Sequence, residues 1–294
     1  ELKQRHPDLG QAVVKLDEGF SGEGNALFDY DGLAADAGLE RRIREELPRR
    51  LGFTADQETW DDYRSKLEQM GGIVECFVDG AENRSPSVQC RIDPRGRIEL
   101  ISTHEQVLGG PSNQIFLGCL FPADAHYRQD LQEAGLRIAA ALRDQGVIGR
   151  FGVDFVACRE QDRWRLHALE INLRKGGTTH TYMMLQYLTD GRYDPETGLY
   201  RTRNGQPRYY YATDNLHSDA YRGLTPEDLI DIAVEHGLHF HGASQQGVVF
   251  HLIGALSEFG KLGMVCVADS EDNALRLQRD TIAVLDSETG GRRV

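Results

Sequence analysis

Three polar residues stand where strands are expected. Glu170 and Asn172 lie in Ala168-Leu-Glu-Ile-Asn-Leu173, a run that reads as a strand entering the Gly176-Gly177 turn. Strand side chains alternate faces. Leu169, Ile171 and Leu173 therefore share one face, expected to sit in a core, and Glu170 and Asn172 share the other. A carboxylate and an amide aimed the same way are costly to bury without a partner. Asp154 is the third, in the apolar stretch of residues 149–157, and aspartate is disfavoured in mid-strand. A short hairpin joining the two strands would bring Asp154, Glu170 and Asn172 together. Two carboxylates ~4 Å apart at an effective dielectric of ~20 repel by about 4 kcal/mol. A Mg²⁺ ion takes oxygen ligands and keeps substrate phosphates in its shell, so it would offset that repulsion. The plain alternative is two separately solvated acids.

A second candidate lies near the start of the chain. Residues 11–16 form a short apolar strand bearing Lys15, and the following stretch holds Gly19, Gly22 and Gly24. Glycines let a backbone approach a ligand closely and turn its N–H groups toward phosphate oxygens. No Walker loop is present, and Leu27 stands where a dinucleotide fingerprint would need its third glycine. A protein kinase places its glycine loop before the strand lysine and ends with Asp-Phe-Gly, whereas here Asp154-Phe155 is followed by Val156. What remains is a lysine strand followed by a Gly-Ser-Gly flap (Ser21, Gly22, Gly24) over phosphates, or a plain hairpin turn. Residues 73–82 read as a strand with a turn at Asp79-Gly80. The backbone of Glu75, Phe77 and Val78 could read an adenine edge and Glu82 could take ribose hydroxyls; the alternative is an ordinary hairpin with surface acids. Arg91 could reach a phosphate or be an edge-strand charge. His180 could orient a substrate carboxylate or be a structural hydrogen-bonder. His236, His239 and His241, flanked by Gly237 and Gly242, fit an exposed loop better than a metal cluster.

The elements that must position these residues follow from periodicity. Leu39, Ile43, Leu47 and Leu51 predict a helix over residues 39–51 whose last turn Pro48 puts in doubt. A second helix covers 59–70, with Trp60, Tyr63, Leu67 and Met70 inward and Gly71-Gly72 ending it. Residues 87–92 and 97–102 form a hairpin about Asp93-Pro94-Arg95-Gly96. Residues 108–114 read as a polar loop, 127–145 as a helix closed by Gly146, and 190–215 as a long irregular excursion with a short hairpin near Tyr209. From Leu224 on, helix, strand, strand and helix form a small α+β block, opened by the N-cap Thr225 with Pro226 at N1.

Composition narrows the function classes. The 294 residues carry 46 Asp and Glu against 33 Lys and Arg, a net charge of −13. That balance argues against nucleic acid or an anionic membrane as partner. No apolar run approaches the ~20 residues a membrane helix needs. The 5 cysteines are scattered without a Cys-x-x-Cys pair, which favours free thiols and a cytoplasmic setting.

In order, the chain offers a lysine strand, a Gly-Ser-Gly flap, Glu75-Cys-Phe-Val-Asp-Gly-Ala-Glu82, a strand Asp154 and Glu170-Ile-Asn172. Over residues 10–180 this order resembles the ATP-grasp superfamily. The strings from Ala12 to Asn25, from Ser102 to Pro111 and from Glu170 to His180 are similar to the pheganomycin-type peptide ligases, and the C-terminal block is similar to that family's C-terminal domain. The resemblance implies an α+β ATP-grasp fold, two subdomains gripping ATP. It implies a nucleotide-binding lobe over 1–72, a metal and catalytic lobe over 73–222 and a small domain over 223–294, with the N-terminal pre-ATP-grasp domain absent. It implies that Lys15 contacts ATP phosphates, that residues 21–25 close over them, that Glu75 sits in the adenine hinge and that Glu82 holds ribose. Asp154, Glu170 and Asn172 would ligate Mg²⁺, with Mn²⁺ as a substitute, and Arg174 would hold the transferring phosphate or the acyl intermediate. The implied activity is a carboxylate-amine ligase acting on small-molecule or peptide substrates through an acyl phosphate, in peptide natural-product biosynthesis, and a homodimer is compatible with it. Two alternatives stay open: a kinase of a small-molecule acceptor, and a catalytically incomplete scaffold.

Overall fold

The computed structural model describes residues 1–18, 24–55, 57–78, 80–109 and 115–290. The chain divides into two compact units, one made of residues 1–80 with 108–116, the other of residues 81–107 with 117–294.

The first unit follows a short helix α1 (Leu2–Arg5) with β1 (Gln11–Leu16), β2 (Asn25–Asp29), α2 (Leu39–Arg50), β3 (Leu51–Phe53), α3 (Trp60–Met70) and β4 (Gly72–Cys76). The strands form an antiparallel sheet in the order β3-β2-β1-β4. Ala12, Val14 and Leu16 turn to a core shared with Phe28, Leu39, Leu51 and Tyr63, against which Trp60, Leu67 and Met70 of α3 pack. The alternate residues Val13 and Lys15 therefore point to the opposite face. Thr59 caps α3 by accepting from the Asp62 N–H at 3.3 Å, and Asp61 and Asp62 sit well at the positive end of the helix. Pro48 is carried inside α2, which runs two residues beyond it; only one hydrogen bond is forfeited there, and the helix ends before a second turn would have to tolerate the ring.

From residue 81 on the chain forms β5 (Asn83–Arg84), β6 (Pro86–Ile92), β7 (Ile98–Gly109), β8 (Ile115–Phe121), α4 (Arg128–Asp144), β9 (Gly149–Glu160), β10 (Arg163–Asn172) and α5 (Gly177–Thr189). There follow β11 (Arg192–Asp194), β12 (Leu199–Arg201), β13 (Pro207–His217), α6 (Pro226–Glu235), β14 (Gly247–His251), α7 (Leu256–Phe259), β15 (Lys261–Ala268) and α8 (Glu271–Gly290). Among the described residues these strands make one eleven-stranded sheet with the path β10-β9-β6-β7-β8-β13-β12-β11. Alternation divides its β6–β9 region into two chemistries. Val88, Cys90, Ile92, Phe151, Val153, Phe155 and Ala157 bury one face against Leu131, Ala139 and Leu142 of α4. Gly135 permits that approach, since a Cβ there would stand 2.6 Å from Val88 Cγ1. Cross-strand pairing gathers Ser87, Gln89, Ser102, His104, Gly152 and Asp154 on the other face.

Three expectations need correction. Leu169, Ile171 and Leu173 are not core: they are 36%, 45% and 58% exposed. Among the described residues β10 is an edge strand, and its inward positions that do pack on the core are Trp164 and Leu166. Residues 190–215 are not irregular but a meander, β11-β12-β13, with Tyr200 and Tyr210 fully buried. Its first two strands are three residues each, too short to show a period of two. Leu108 and Gly109 continue β7 instead of opening a loop; the remainder of that predicted loop, 110–114, lies outside the described residues. The C-terminal block has its expected helix, strands and helix, and β15 is hydrogen-bonded to β13, so the block extends the sheet. Among the described residues no helix is long and apolar enough to cross a membrane. All five cysteines are free.

Candidate active site

The β9–β10 hairpin sets Asp154 opposite Glu170 and Gly152 opposite Asn172. Between Ala168 and Glu170 the register shifts by one residue. Ahead of the shift the even-numbered residues Trp164 and Leu166 pack on the α4 side; beyond it the even-numbered Glu170 and Asn172 share the face of Asp154. The shift thus joins a core-facing half-strand to an acid-bearing one.

Asp154 is half-buried and held by two amides. Asn172 Nδ2 donates to Oδ2 at 2.9 Å and Gln106 Nε2 to Oδ1 at 3.0 Å. Each amide donates through nitrogen, so each carbonyl oxygen remains an acceptor for something else. Burial pushes the Asp154 carboxyl up to about 6, and the charge of Glu170 adds to it; Gln106, Arg174 and Asn172 act the other way. Arg174 is exposed and acts on Asp154 through its charge; its Nη1 donates to the Lys175 carbonyl at 3.4 Å. Among the described residues no three His, Cys, Asp or Glu side chains gather as a metal site. The candidate set is two carboxylates plus amide oxygen, all hard donors, in a place where a carboxylate already resists ionising. A hard divalent cation fits that donor set. Gln106 escapes the sequence reading, which ends this strand at residue 102; continuing the alternation from Ser102 through His104 reaches it. His104 between them is fully buried, bonded through Nε2 to Tyr210 Oη at 2.7 Å and pushed down to about 3 by burial, so it is neutral.

In the first unit Lys15 Nζ meets Glu75 at 2.5 Å, with the two side chains 17% and 33% exposed. Val13 pairs with Glu75 and Lys15 with Ile73, which makes lysine and glutamate diagonal neighbours on one face. Tyr63 Oη stands 3.0 Å from the carbonyl oxygens of both Val14 and Gly24, which share its one proton, and ties α3 to the end of the glycine stretch. Gly24 also accepts from the Leu16 N–H. Ser21 and Gly22 lie outside the described residues. The Phe77 N–H is taken by the Gln11 carbonyl at 3.1 Å, so of the predicted hinge Val78, past the strand end, is the residue that has left the ladder.

Glu82 belongs to the second unit and is engaged by arginines: Arg84 Nε at 2.9 Å and Arg159 Nη1 at 3.5 Å. Arg84 also pairs with Asp124 and lies over the Trp164 ring. Next to it, burial raises the Glu105 carboxyl to about 7, although Tyr127 Oη donates to it. Arg91 pairs with Glu99 at 3.6 Å and stands on an interior strand, so it is not an edge charge. It is also four residues along β6 from Ser87, the partner of Asp154. At ~3.3 Å per residue that is roughly 13 Å from the acid pair, and the two are not brought together. The His180 ring packs edge-on against His251 at 4.7 Å, and burial lowers its pKa. His236 bonds Glu288 at 3.0 Å, while the rings of His239 and His241 lie 6.4 Å apart.

A family model described as IQCH-like, ATP-grasp matches residues 35–196, and one described as the PGM1 C-terminal domain matches residues 228–281. The chain is similar to the L-propargylglycine–L-glutamate ligase of Streptantibioticus cattleyicolor, 29% identical over 291 residues, covering 97% of this chain and 59% of that one. It is also similar to IQ motif-containing protein H of Danio rerio, 21% identical over 203 residues, covering 60% of this chain and 19% of that one. Among solved structures, N5-carboxyaminoimidazole synthetase from Staphylococcus aureus complexed with ADP aligns at a TM-score of 0.54 and 16% identity, over 97% of this chain and 64% of that one. The biotin carboxylase domain of the Hydrogenobacter thermophilus 2-oxoglutarate carboxylase, complexed with MgADP, ADP and bicarbonate, aligns at 0.58 and 11% identity, over 96% and 58%. The chain therefore spans well under two thirds of the length of the curated relatives it matches.

Proposed function

As the chain belongs to the IQCH-like ATP-grasp family, matched over more than half its length, we propose that it is the nucleotide-handling part of an ATP- and Mg²⁺-dependent carboxylate-amine ligase acting on amino-acid or peptide substrates. The observation that carries the reading is the pairing of Asp154 with Glu170 beside the Asn172 and Gln106 amides. The 29% identical relative, whose name describes an amino-acid–glutamate ligase, supports the same reaction class.

A free carboxylate is a poor acyl centre. In the proposed reaction it attacks the γ-phosphate of ATP, ADP leaves, and an acyl phosphate forms; an amine then attacks the acyl carbon and phosphate leaves. Bound Mg²⁺ supplies charge neutralisation at the phosphates. Asp154, Glu170 and Asn172 hold it. Lys15 contacts phosphate, and Glu75 keeps its ammonium in place until then. Phe77 and Val78 line the adenine edge, and Glu82 takes ribose. Arg174 offsets charge on the transferring group. Such a site works by positioning and electrostatics, without an enzyme nucleophile.

The test is Mg²⁺-dependent ADP release by the full chain against a panel of amino acids and dipeptides, with mass detection of products. An amide plus free phosphate is expected. Glu170→Ala should lower the rate by at least about 100-fold, the scale of removing one preorganised charge. A stable phosphorylated product would replace the ligase with a kinase, and full activity of Glu170→Ala would remove the acid pair from the site.

A further inference from the structure

On the polar face of the second unit, where α5 begins, a cleft is lined by Arg150, Gln89, Ser102, Thr178, Thr179 and Tyr182. We infer that this cleft is the subsite for the carboxylate of an amino-acid substrate, gripped by the Arg150 guanidinium; the assignment rests on the ligase reading above.

Three independent observations converge on an anion. Arg150 is half-buried on β9, and among the described residues its side chain has no carboxylate partner and makes no hydrogen bond. The nearest acid on its row, Glu99, faces Arg91, the strand neighbour of Arg150. Ser102 is 0% exposed, and its hydroxyl in the cleft wall has no hydrogen-bond partner. A buried hydroxyl left unpaired costs free energy unless a ligand satisfies it. The thirteen-residue helix α5 starts at the cleft, and its first N–H groups, at Gly177 and Thr178, have no intrahelical acceptor by helix geometry. Gly152 leaves room for the Gln89 side chain in the cleft wall, since a Cβ there would meet Gln89 Oε1 at 2.8 Å, and Gln89 Nε2 donates to Ser87 Oγ at 3.5 Å.

Among the described residues no acid lines the cleft. One guanidinium with neutral donors suits a monoanion that can take a bidentate fork, which describes a carboxylate better than a phosphate dianion. Arg150 and Asp154 lie four residues apart on one face of β9, roughly 13 Å at ~3.3 Å per residue. Allowing for the reach of the arginine, an amino acid or short peptide anchored by its carboxylate can present its other end toward Asp154.

The experiment compares binding of free amino acids and their C-terminal amides to the full chain with Mg-ADP present, by saturation-transfer NMR, alongside turnover. At least one free acid is expected to bind while its amide does not. Arg150→Met should raise the Kd of that acid, and its KM in turnover, by about 10- to 100-fold, the loss of a charged hydrogen-bond pair, with kcat and the affinity for Mg-ADP little changed. Arg150→Lys should recover part of the affinity, which a merely misfolded variant would not. Equal binding of acid and amide, no binding of any free acid, or an unchanged Kd in Arg150→Met overturns the subsite. Carboxylate-dependent binding without any ligated product leaves the subsite standing and refutes the ligase reading instead.

Discussion

Asp154→Asn is expected to separate the stability of this fold from its proposed chemistry. The Asp154 carboxyl stands at about 6 against an ordinary value of 3.8. A raised carboxylate penalises the folded state once ionised: none of the penalty is present below about 4, and all of it above about 6. Two pH units at ~1.4 kcal/mol each give about 3 kcal/mol, and partial exposure brings this nearer 2. Asparagine removes the penalty but cannot accept from both Gln106 and Asn172, which costs about 1 kcal/mol if one amide turns over. The variant should therefore be about 1–2 kcal/mol more stable than the parent at pH 7.5, and that advantage should vanish toward pH 4, where the parent's protonated carboxyl carries no penalty and has likewise turned one oxygen into a donor. At roughly 2–4 °C per kcal/mol this is a measurable rise in melting temperature. Calorimetry from pH 4 to 8 on both chains reads the difference, from which other titrating groups cancel. Magnesium at ten times its Kd should protect the parent by about 1.4 kcal/mol and the variant not at all. A variant that melts lower at pH 7.5, or that magnesium still protects, would refute the account of the acid pair.

Two further expectations concern the core of the second unit. Glu105, raised to about 7 by burial, should make the parent lose stability as pH rises from about 4.5 to 7. Glu105→Gln should flatten that segment by about 3 kcal/mol in urea titrations, and an unchanged slope would mean that the carboxyl is not the group responsible. Gly135→Ala should destabilise by about 1–3 kcal/mol through its clash with Val88. Adding Val88→Ala should recover part of that loss, and strict additivity of the two changes would show that they do not touch.

The acid–amide constellation was legible because alternation needs only local sequence: Glu170 and Asn172 do share a face, and the hairpin to Asp154 is short. Helix α3, with its Thr59 cap and inward Trp60, Tyr63, Leu67 and Met70, was equally readable, since cap and stripe agree. The exposure of Leu169, Ile171 and Leu173 was not readable. It depends on which strand ends the sheet, and that is settled by partners far away in the chain. Gln106 was hidden by the length of β7, and Arg150 by a cleft whose walls come from β6, β7, β9 and α5 together. Arg91 illustrates the converse: residue type and alternation suited a phosphate ligand, but register fixed it beside Glu99.

The register shift before Glu170 has a consequence for how this chain tolerates changes of length. Leu169 has no place in the ladder: Ala168 answers Phe155 and Glu170 answers Asp154. A chain shortened by Leu169 alone would keep every pairing on both sides of the gap, with Trp164 still inward and Glu170 still beside Asp154. Loss of one residue on either side would instead turn half the strand over. The dispensable position contributes curvature, not pairing, and a one-codon deletion there would measure what bending the edge adds to the meeting of the two acids.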